Sequence, residues 1–244
     1  MLRLNGVMHP TIERLRGGLI VSCQAVPPSP LRDSRIIAAL AQCAELGGAA
    51  GVRVDSPDDV ATVRRALSIP VIGIYKIRDA APVYITPTFR AAQAVARAGA
   101  DIVAIQATGV RTSAADPLPD LIARVHAECG IPVMADIAIA GEGREAAAAG
   151  ADLVATTMSG YTPSSRQISG PDLDLVGERA GALQVPVVAE GRIRTPEEAA
   201  AALRAGAWAV VVGRAITMPE GITAQFVRAM APLTPRRGSH PRNR

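Results

Sequence analysis

Two short phrases alternate along this chain of 244 residues, and their alternation restricts the fold more than any other feature. One is a helix end, a Gly-Ala turn and an apolar run: Leu46-Gly-Gly-Ala-Ala-Gly-Val-Arg-Val54, Ala98-Gly-Ala-Asp-Ile-Val-Ala-Ile105, Ala149-Gly-Ala-Asp-Leu-Val-Ala-Thr156 and Ala205-Gly-Ala-Trp-Ala-Val-Val-Val212. The other is an apolar run opened by an aliphatic residue and proline: Ile69-Pro-Val-Ile-Gly-Ile74, Ile131-Pro-Val-Met-Ala-Asp136 and Val185-Pro-Val-Val-Ala-Glu190. Glycine ends a helix by taking a left-handed conformation. Proline suits the first residue of a strand, where its missing N–H breaks no ladder. With Leu19-Ile-Val-Ser-Cys23 at the front, the phrases make eight short strands. Helical patterns lie between them over residues 34–46, 57–67, 88–98, 118–129, 143–149, 172–183 and 196–205. Ser56-Pro-Asp-Asp59 and Thr195-Pro-Glu-Glu198 read as N-cap-plus-proline helix starts. The alternation predicts one α/β domain over residues 1–234, a (β/α)8 TIM barrel with a short N-terminal extension. A doubly wound open sheet needs a glycine-rich fingerprint after its first strand, and residues 19–24 lack one.

Only six residues are aromatic, so the core is built from Ala, Val, Ile and Leu, which suits parallel strands under helices. The formal net charge of +4 is matched by Arg236, Arg237, Arg242 and Arg244 in the segment 235–244, expected to be a frayed, disordered tail. The rest of the chain is balanced and offers no basic face for nucleic acid. Cys23, Cys43 and Cys129 are odd in number and lack metal-ligand spacing, as expected of reduced thiols in the cytoplasm. No signal-peptide layout and no apolar run long enough for a membrane span is present, so a soluble intracellular protein is expected.

In such a barrel the C-terminal strand ends form the active-site face. Those ends carry Cys23 and Gln24, Arg53, Lys76, Gln106, Asp136, Thr156 and Thr157, Glu190-Gly-Arg192 and Gly213-Arg214. Lys76 is the single lysine beside twenty-five arginines. Arginine keeps its proton in a protein, whereas a desolvated lysine amine can act as a base near neutral pH. Unpaired buried charges are costly, so the set is expected to pair internally and with a ligand. Gly191, Gly213 and Arg214 follow strands seven and eight, with a short helix able to open over residues 214–218. Many barrels bind phosphate there, which points to a phosphorylated small molecule.

The chain resembles the N-acetylmannosamine-6-phosphate 2-epimerases, barrels of the ribulose-phosphate-binding type. The resemblance rests on Gly18-Leu-Ile-Val-Ser-Cys-Gln-Ala25, Val83-Tyr-Ile-Thr-Pro-Thr88, Thr156-Thr-Met-Ser-Gly-Tyr-Thr162 and Ala189-Glu-Gly-Arg-Ile-Arg-Thr-Pro196, with shorter matches between them. It implies an isomerase of amino-sugar and sialic acid catabolism that inverts C2 of an open-chain sugar phosphate through an enolate. The implied reaction needs neither a redox cofactor nor a metal. The resemblance assigns proton transfer at C2 to Lys76, completes the catalytic group with Glu190 and Asp136, and places Gln24, Arg53 and Arg192 on the sugar. Thr86, Ser159, Gly160 and Tyr161, from the family-specific phrases, join the expected substrate site. Whether one group or two handle the C2 proton stays open.

Two positions depart from the family pattern. Gln106 stands where an aspartate is usual, which would remove a charge from the pocket mouth. Met218 stands where an arginine near the phosphate is frequent, and Arg214 could replace it from one helical turn earlier. Alternatives are an isomerase or lyase acting on another sugar phosphate, or a barrel that binds such a ligand without turnover. Apolar helices on a barrel exterior often make dimers, so a homodimer is also an expectation.

Overall fold

The computed structural model describes residues 8–78, 82–109 and 113–231; the expected tail at 235–244 lies outside the described residues. Eight parallel strands hydrogen-bond in chain order: β1 (Leu19–Cys23), β2 (Gly51–Asp55), β3 (Val71–Ile74), β4 (Ile102–Gln106), β5 (Val133–Asp136), β6 (Leu153–Ala155), β7 (Val187–Glu190) and β8 (Ala209–Val212). β8 pairs with β1 and closes the barrel. The expected (β/α)8 architecture is the observed one.

Helices α2 (Ser34–Leu46), α3 (Pro57–Ala66), α4 (Phe89–Arg97), α5 (Leu118–Arg124), α6 (Ala140–Ala148), α7 (Leu173–Ala182) and α8 (Pro196–Arg204) link successive strands. Thr195 caps α8 by accepting from the Glu198 N–H, and the Glu198 carboxylate reaches back to the Thr195 N–H. Gly99, at φ +102°, turns the chain from α4 into β4 in a conformation that a side chain disfavours. Beyond one-residue shifts at several helix ends, three segments depart from the sequence pattern. The pattern at 118–129 is α5 followed by a π turn at Val125–Cys129. α6 starts before residue 143, because the Glu142 carboxylate accepts from the Ala138 and Ile139 N–H groups and caps an earlier turn. The helix expected at 214–218 is α9 (Arg214–Thr217), after which Met218 breaks the helical path and α10 (Pro219–Met230) follows.

A short α1 (Pro10–Glu13) precedes the barrel. Its Ile12, with Leu15, seals the N-terminal end of the strands, and the Trp208 indole N–H donates to the Ile12 carbonyl at 3.0 Å.

Side chains alternate inward and outward along each strand. Inward-facing Ile20, Ile72, Ile102, Met134, Leu153, Val188 and Ala209 pack together inside the barrel. Outward-facing Val21, Val52, Val71, Val103, Val133 and Val154 pack against helical residues such as Ile37, Val60 and Val95. A slip of one residue in any strand would exchange the two sets, so apolar burial on both faces fixes the register. Following the inward columns toward the strand C-termini leads from apolar layers to Ser22 and Gln24, Arg53 and Asp55, Lys76, Gln106, Asp136, Thr157, Glu190 and Gly213. The same alternation that builds the core therefore aims these polar groups at one place.

Candidate active site

The centre of the polar layer is Arg53, 1% exposed. Its guanidinium grips both Asp136 oxygens, at 3.0 and 2.5 Å, and donates to Glu190 Oε2 at 2.7 Å. The Thr157 hydroxyl lies 2.6 Å from Asp136 Oδ1 and 3.1 Å from Glu190 Oε2, so it ties the two carboxylates together. These residues come from β2, β5, β7 and the end of β6, which only barrel closure brings within contact. Burial alone pulls the Arg53 guanidinium down, but Asp136 and Glu190 outweigh it and hold the group charged, above its ordinary value.

Lys76 lies two residues beyond β3. Its Nζ donates to Gln24 Oε1 at 2.5 Å, and the Gln24 amide donates in turn to Ser22 Oγ at 2.7 Å. The Lys76 backbone N–H donates to Asp55 Oδ1 at 3.0 Å. Burial lowers the amine below the ordinary lysine value; Asp55 and Glu190 oppose that shift, while Arg53 and Arg78 add to it. Glu190 moves the other way: burial raises its carboxyl, assisted by Asp136 and resisted by Arg53, Thr157 and Lys76. The amine is thus biased toward its neutral base form and the carboxyl toward its neutral acid form. Such opposed shifts in one site are what acid–base chemistry requires.

A cavity of about 1010 Å³ opens over this layer. Gln24, Arg53, Lys76, Tyr161, Glu190, Gly191, Arg192, Gly213 and Arg214 all line it, as the sequence reading expects. Asp136, Thr86, Ser159 and Gly160 stand behind that lining. Asp136 is fully buried against Arg53. Thr86, at φ +47°, accepts the Tyr75 N–H on its hydroxyl. Ser159 donates to Asp172 Oδ2 at 2.7 Å. Gly160 lies against the Arg192 guanidinium so closely that a Cβ there would collide with it. Arg192 itself donates to the Ser159 and Gly170 carbonyls at 2.5 and 2.8 Å, which straps the β6–α7 loop to the end of β7.

Two expectations are corrected. Gln106 is not at the pocket mouth: it is 1% exposed and covered by residues 82–85. Arg214 and Met218 do not share one helix, since α9 ends at Thr217, yet both line the cavity. Ser22, Asp55, Arg78, Tyr84, Arg194 and Arg228 went unnoticed in the sequence reading of the site. Alternation from Arg53 to Asp55 was the signal available for Asp55; nothing local marks Arg228, which α10 brings to the cavity. Cys23 faces outward, and burial pushes its thiol up to about 12, so it is no nucleophile.

A second cavity, about 860 Å³, opens near the opposite end of the barrel between α1 and the α5–α7 side. It has a His126–Asp152 pair at 2.7 Å and Arg144 in its lining but no lysine amine, and it lies away from the strand C-termini, so the first cavity is the candidate site. Among the described residues, no group of three or more His, Cys, Asp or Glu is arranged to hold a metal ion. No helix among them is long and apolar enough to cross a membrane.

The model of the family described as "Putative N-acetylmannosamine-6-phosphate epimerase" matches residues 37–232. A protein of Thermosynechococcus vestitus named "Putative N-acetylmannosamine-6-phosphate 2-epimerase" is 49% identical over 218 residues, 89% of this chain and 95% of its own. One of the same name from Caldanaerobacter subterraneus subsp. tengcongensis is 46% identical over 218 residues, covering 88% and 92%. Among solved structures, the N-acetylmannosamine-6-phosphate 2-epimerase from Clostridium perfringens superposes with a TM-score of 0.87 at 39% identity, covering 91% of this chain and 96% of that one. The thiamine phosphate pyrophosphorylase from Pyrococcus furiosus, at 18% identity and a TM-score of 0.57, shares the fold alone.

Proposed function

The chain belongs to the N-acetylmannosamine-6-phosphate epimerase family, and we propose that it performs that reaction with Lys76 and Glu190 as an opposed acid–base pair. It is an isomerase that interconverts N-acetylmannosamine 6-phosphate and N-acetylglucosamine 6-phosphate in amino-sugar and sialic acid breakdown. In the open-chain sugar, the C2 proton lies next to the C1 aldehyde and is acidic enough for a general base to remove. Neutral Lys76 takes it, the electron pair moves into the C1 carbonyl, and an enolate forms. A proton delivered to the other face of C2 completes the inversion.

The observation that carries this reading is the placement of the pair. In the closed order of eight strands, β3 and β7 lie four positions apart, diametrically opposed. On this reading Lys76 and Glu190 act on opposite faces of a planar intermediate. Arg53, bonded to Glu190, serves as a charged donor for the enolate oxygen, a preorganised term of about 3 kcal/mol for one donor. Asp136 is not in reach of the cavity and acts by holding Arg53. Gln24, Tyr161 and Arg192 contact the sugar, while Thr86, Ser159 and Gly160 hold the loops that carry them. Gly191, Gly213 and Arg214 receive the phosphate.

We further infer a homodimer, because no residue of α10 is buried and Phe226 and Val227 are 66% and 61% exposed. Free thiols and a phosphorylated substrate, which does not cross bilayers unaided, fit a cytoplasmic enzyme.

The test is incubation with N-acetylmannosamine 6-phosphate in deuterated buffer, followed by proton NMR at C2. The gluco epimer should form with deuterium at C2; a product that keeps its original proton rules out the mechanism. Lys76→Ala and Glu190→Gln should each lose epimerisation while keeping C2 exchange of one epimer only, opposite epimers for the two variants. Exchange of both epimers by either variant means that one group serves both faces.

A further inference from the structure

Residues 82–86 form a bridge between the base and the neighbouring strand. On one side they run antiparallel to the Lys76 segment: Lys76 pairs with Ile85, the Ile77 N–H donates to the Tyr84 carbonyl at 2.9 Å, and the Thr86 N–H donates to the Tyr75 carbonyl at 2.9 Å. On the other side they are held by Gln106. Its Oε1 accepts from the Tyr84 and Ile85 N–H groups at 3.0 and 3.3 Å. Its Nε2 donates to the Pro82 carbonyl at 3.0 Å and to Thr108 Oγ1 at 2.7 Å. Backbone N–H groups can only donate and the Pro82 carbonyl can only accept, so these partners fix the orientation of the amide. Both acceptor sites and both donors of the side chain are used. Tyr84 and Ile85, the residues so held, line the cavity beside Lys76.

We infer that Gln106 is a positioning residue for the reaction: it fixes the 82–86 bridge, and through it the placement of Lys76. In this chain the bridge is built for a neutral amide of this length, because an ionised carboxylate of the same shape offers no donor to the Pro82 carbonyl and faces that oxygen. The inference rests on Lys76 acting as the base.

Gln106→Glu keeps the size and replaces the amide donor with an oxygen that is charged when ionised. Near neutral pH its kcat should fall about tenfold or more with KM within about threefold, since a buried donor or acceptor left unpaired is penalised while the substrate contacts remain. The ratio of variant to wild-type kcat should rise as pH falls, because the protonated carboxyl regains one donor. A kcat equal to wild type, or a reduced ratio that stays flat with pH, overturns the inference, because a general loss of packing would not follow the carboxyl. If Gln106→Glu does not fold, Thr108→Val leaves one amide donor unpaired, and its kcat should drop about threefold in a variant shown to be folded by circular dichroism; an unchanged kcat then overturns the inference. Wild-type enzyme assayed alongside separates the two levels. Absence of C2 exchange there refutes the role of Lys76, whereas active wild type with an indifferent Gln106→Glu refutes only the role of Gln106.

Discussion

Replacing Lys76 by methionine separates chemistry from stability more cleanly than any other single change. The side chain becomes one heavy atom shorter and loses its charge. One bond disappears, that from Nζ to Gln24 Oε1 at 2.5 Å, and Gln24 keeps its bond to Ser22. A lost hydrogen bond of this kind costs about 1 kcal/mol net, and removing an amine disfavoured by burial offsets part of it. The variant should therefore unfold within about 1 kcal/mol of wild type near neutral pH. The pH dependence has a definite sign. The folded-state pKa of Lys76 lies below its unfolded value of 10.5, so the unfolded chain binds the extra proton between the two. Wild-type stability accordingly rises with pH across that window. Lys76→Met removes this slope, and its stability relative to wild type should decline as pH approaches 10.5. Activity behaves differently: a positioned general base contributes roughly 10²–10⁴-fold, about 3–5 kcal/mol of barrier, so epimerisation should fall by at least about a hundredfold. Urea unfolding at several pH values and NMR turnover in deuterated buffer measure both quantities. Epimerisation within tenfold of wild type, or a stability loss above about 3 kcal/mol, refutes the reasoning.

Asp55→Asn keeps the acceptor for the Lys76 N–H but removes the charge that most favours the ammonium form. The limb over which kcat/KM rises with pH should move to lower pH, and a limb that stays or moves up contradicts the electrostatic account. Asp136→Asn leaves Arg53 with Glu190 as its remaining carboxylate. Breaking such a buried pair costs about 3–5 kcal/mol; with one partner retained we expect about 3 kcal/mol by chemical denaturation, and a loss below 1 kcal/mol shows that Asp136 does not hold Arg53. Arg214→Ala should raise KM about tenfold with kcat unchanged, as expected when a charged contact made equally in ground and transition states is lost. An unchanged KM shows that Arg214 does not hold the phosphate.

The barrel was legible because each strand carries its own punctuation, the Gly-Ala turn or the proline, and because inward and outward faces are both apolar. The strand-end residues were legible as a set for the same reason. Their pairing was not. Arg53, Asp136 and Glu190 meet across β2, β5 and β7, and no local pattern encodes which guanidinium grips which carboxylate. Gln106 shows the other limit: alternation placed it correctly on the inward column of β4, but the segment 82–85 that covers it is a tertiary contact. α10 carries Ile222, Phe226 and Met230 four residues apart, but none is fully buried, so the pattern shows a helix without showing that it meets the barrel mouth.

A chain with a single lysine, at the floor of its cavity, carries a built-in chemical handle. Apart from the chain's own amino terminus, Lys76 is the one primary amine that an acylating or reductive-alkylating reagent can find. A depressed pKa keeps more of it neutral, and therefore nucleophilic, at the pH of ordinary labelling. Mass spectrometry of the peptides would then separate Lys76 from the amino terminus and read its occupancy against lost activity, and a sugar phosphate would reveal its affinity by the protection it confers on Lys76.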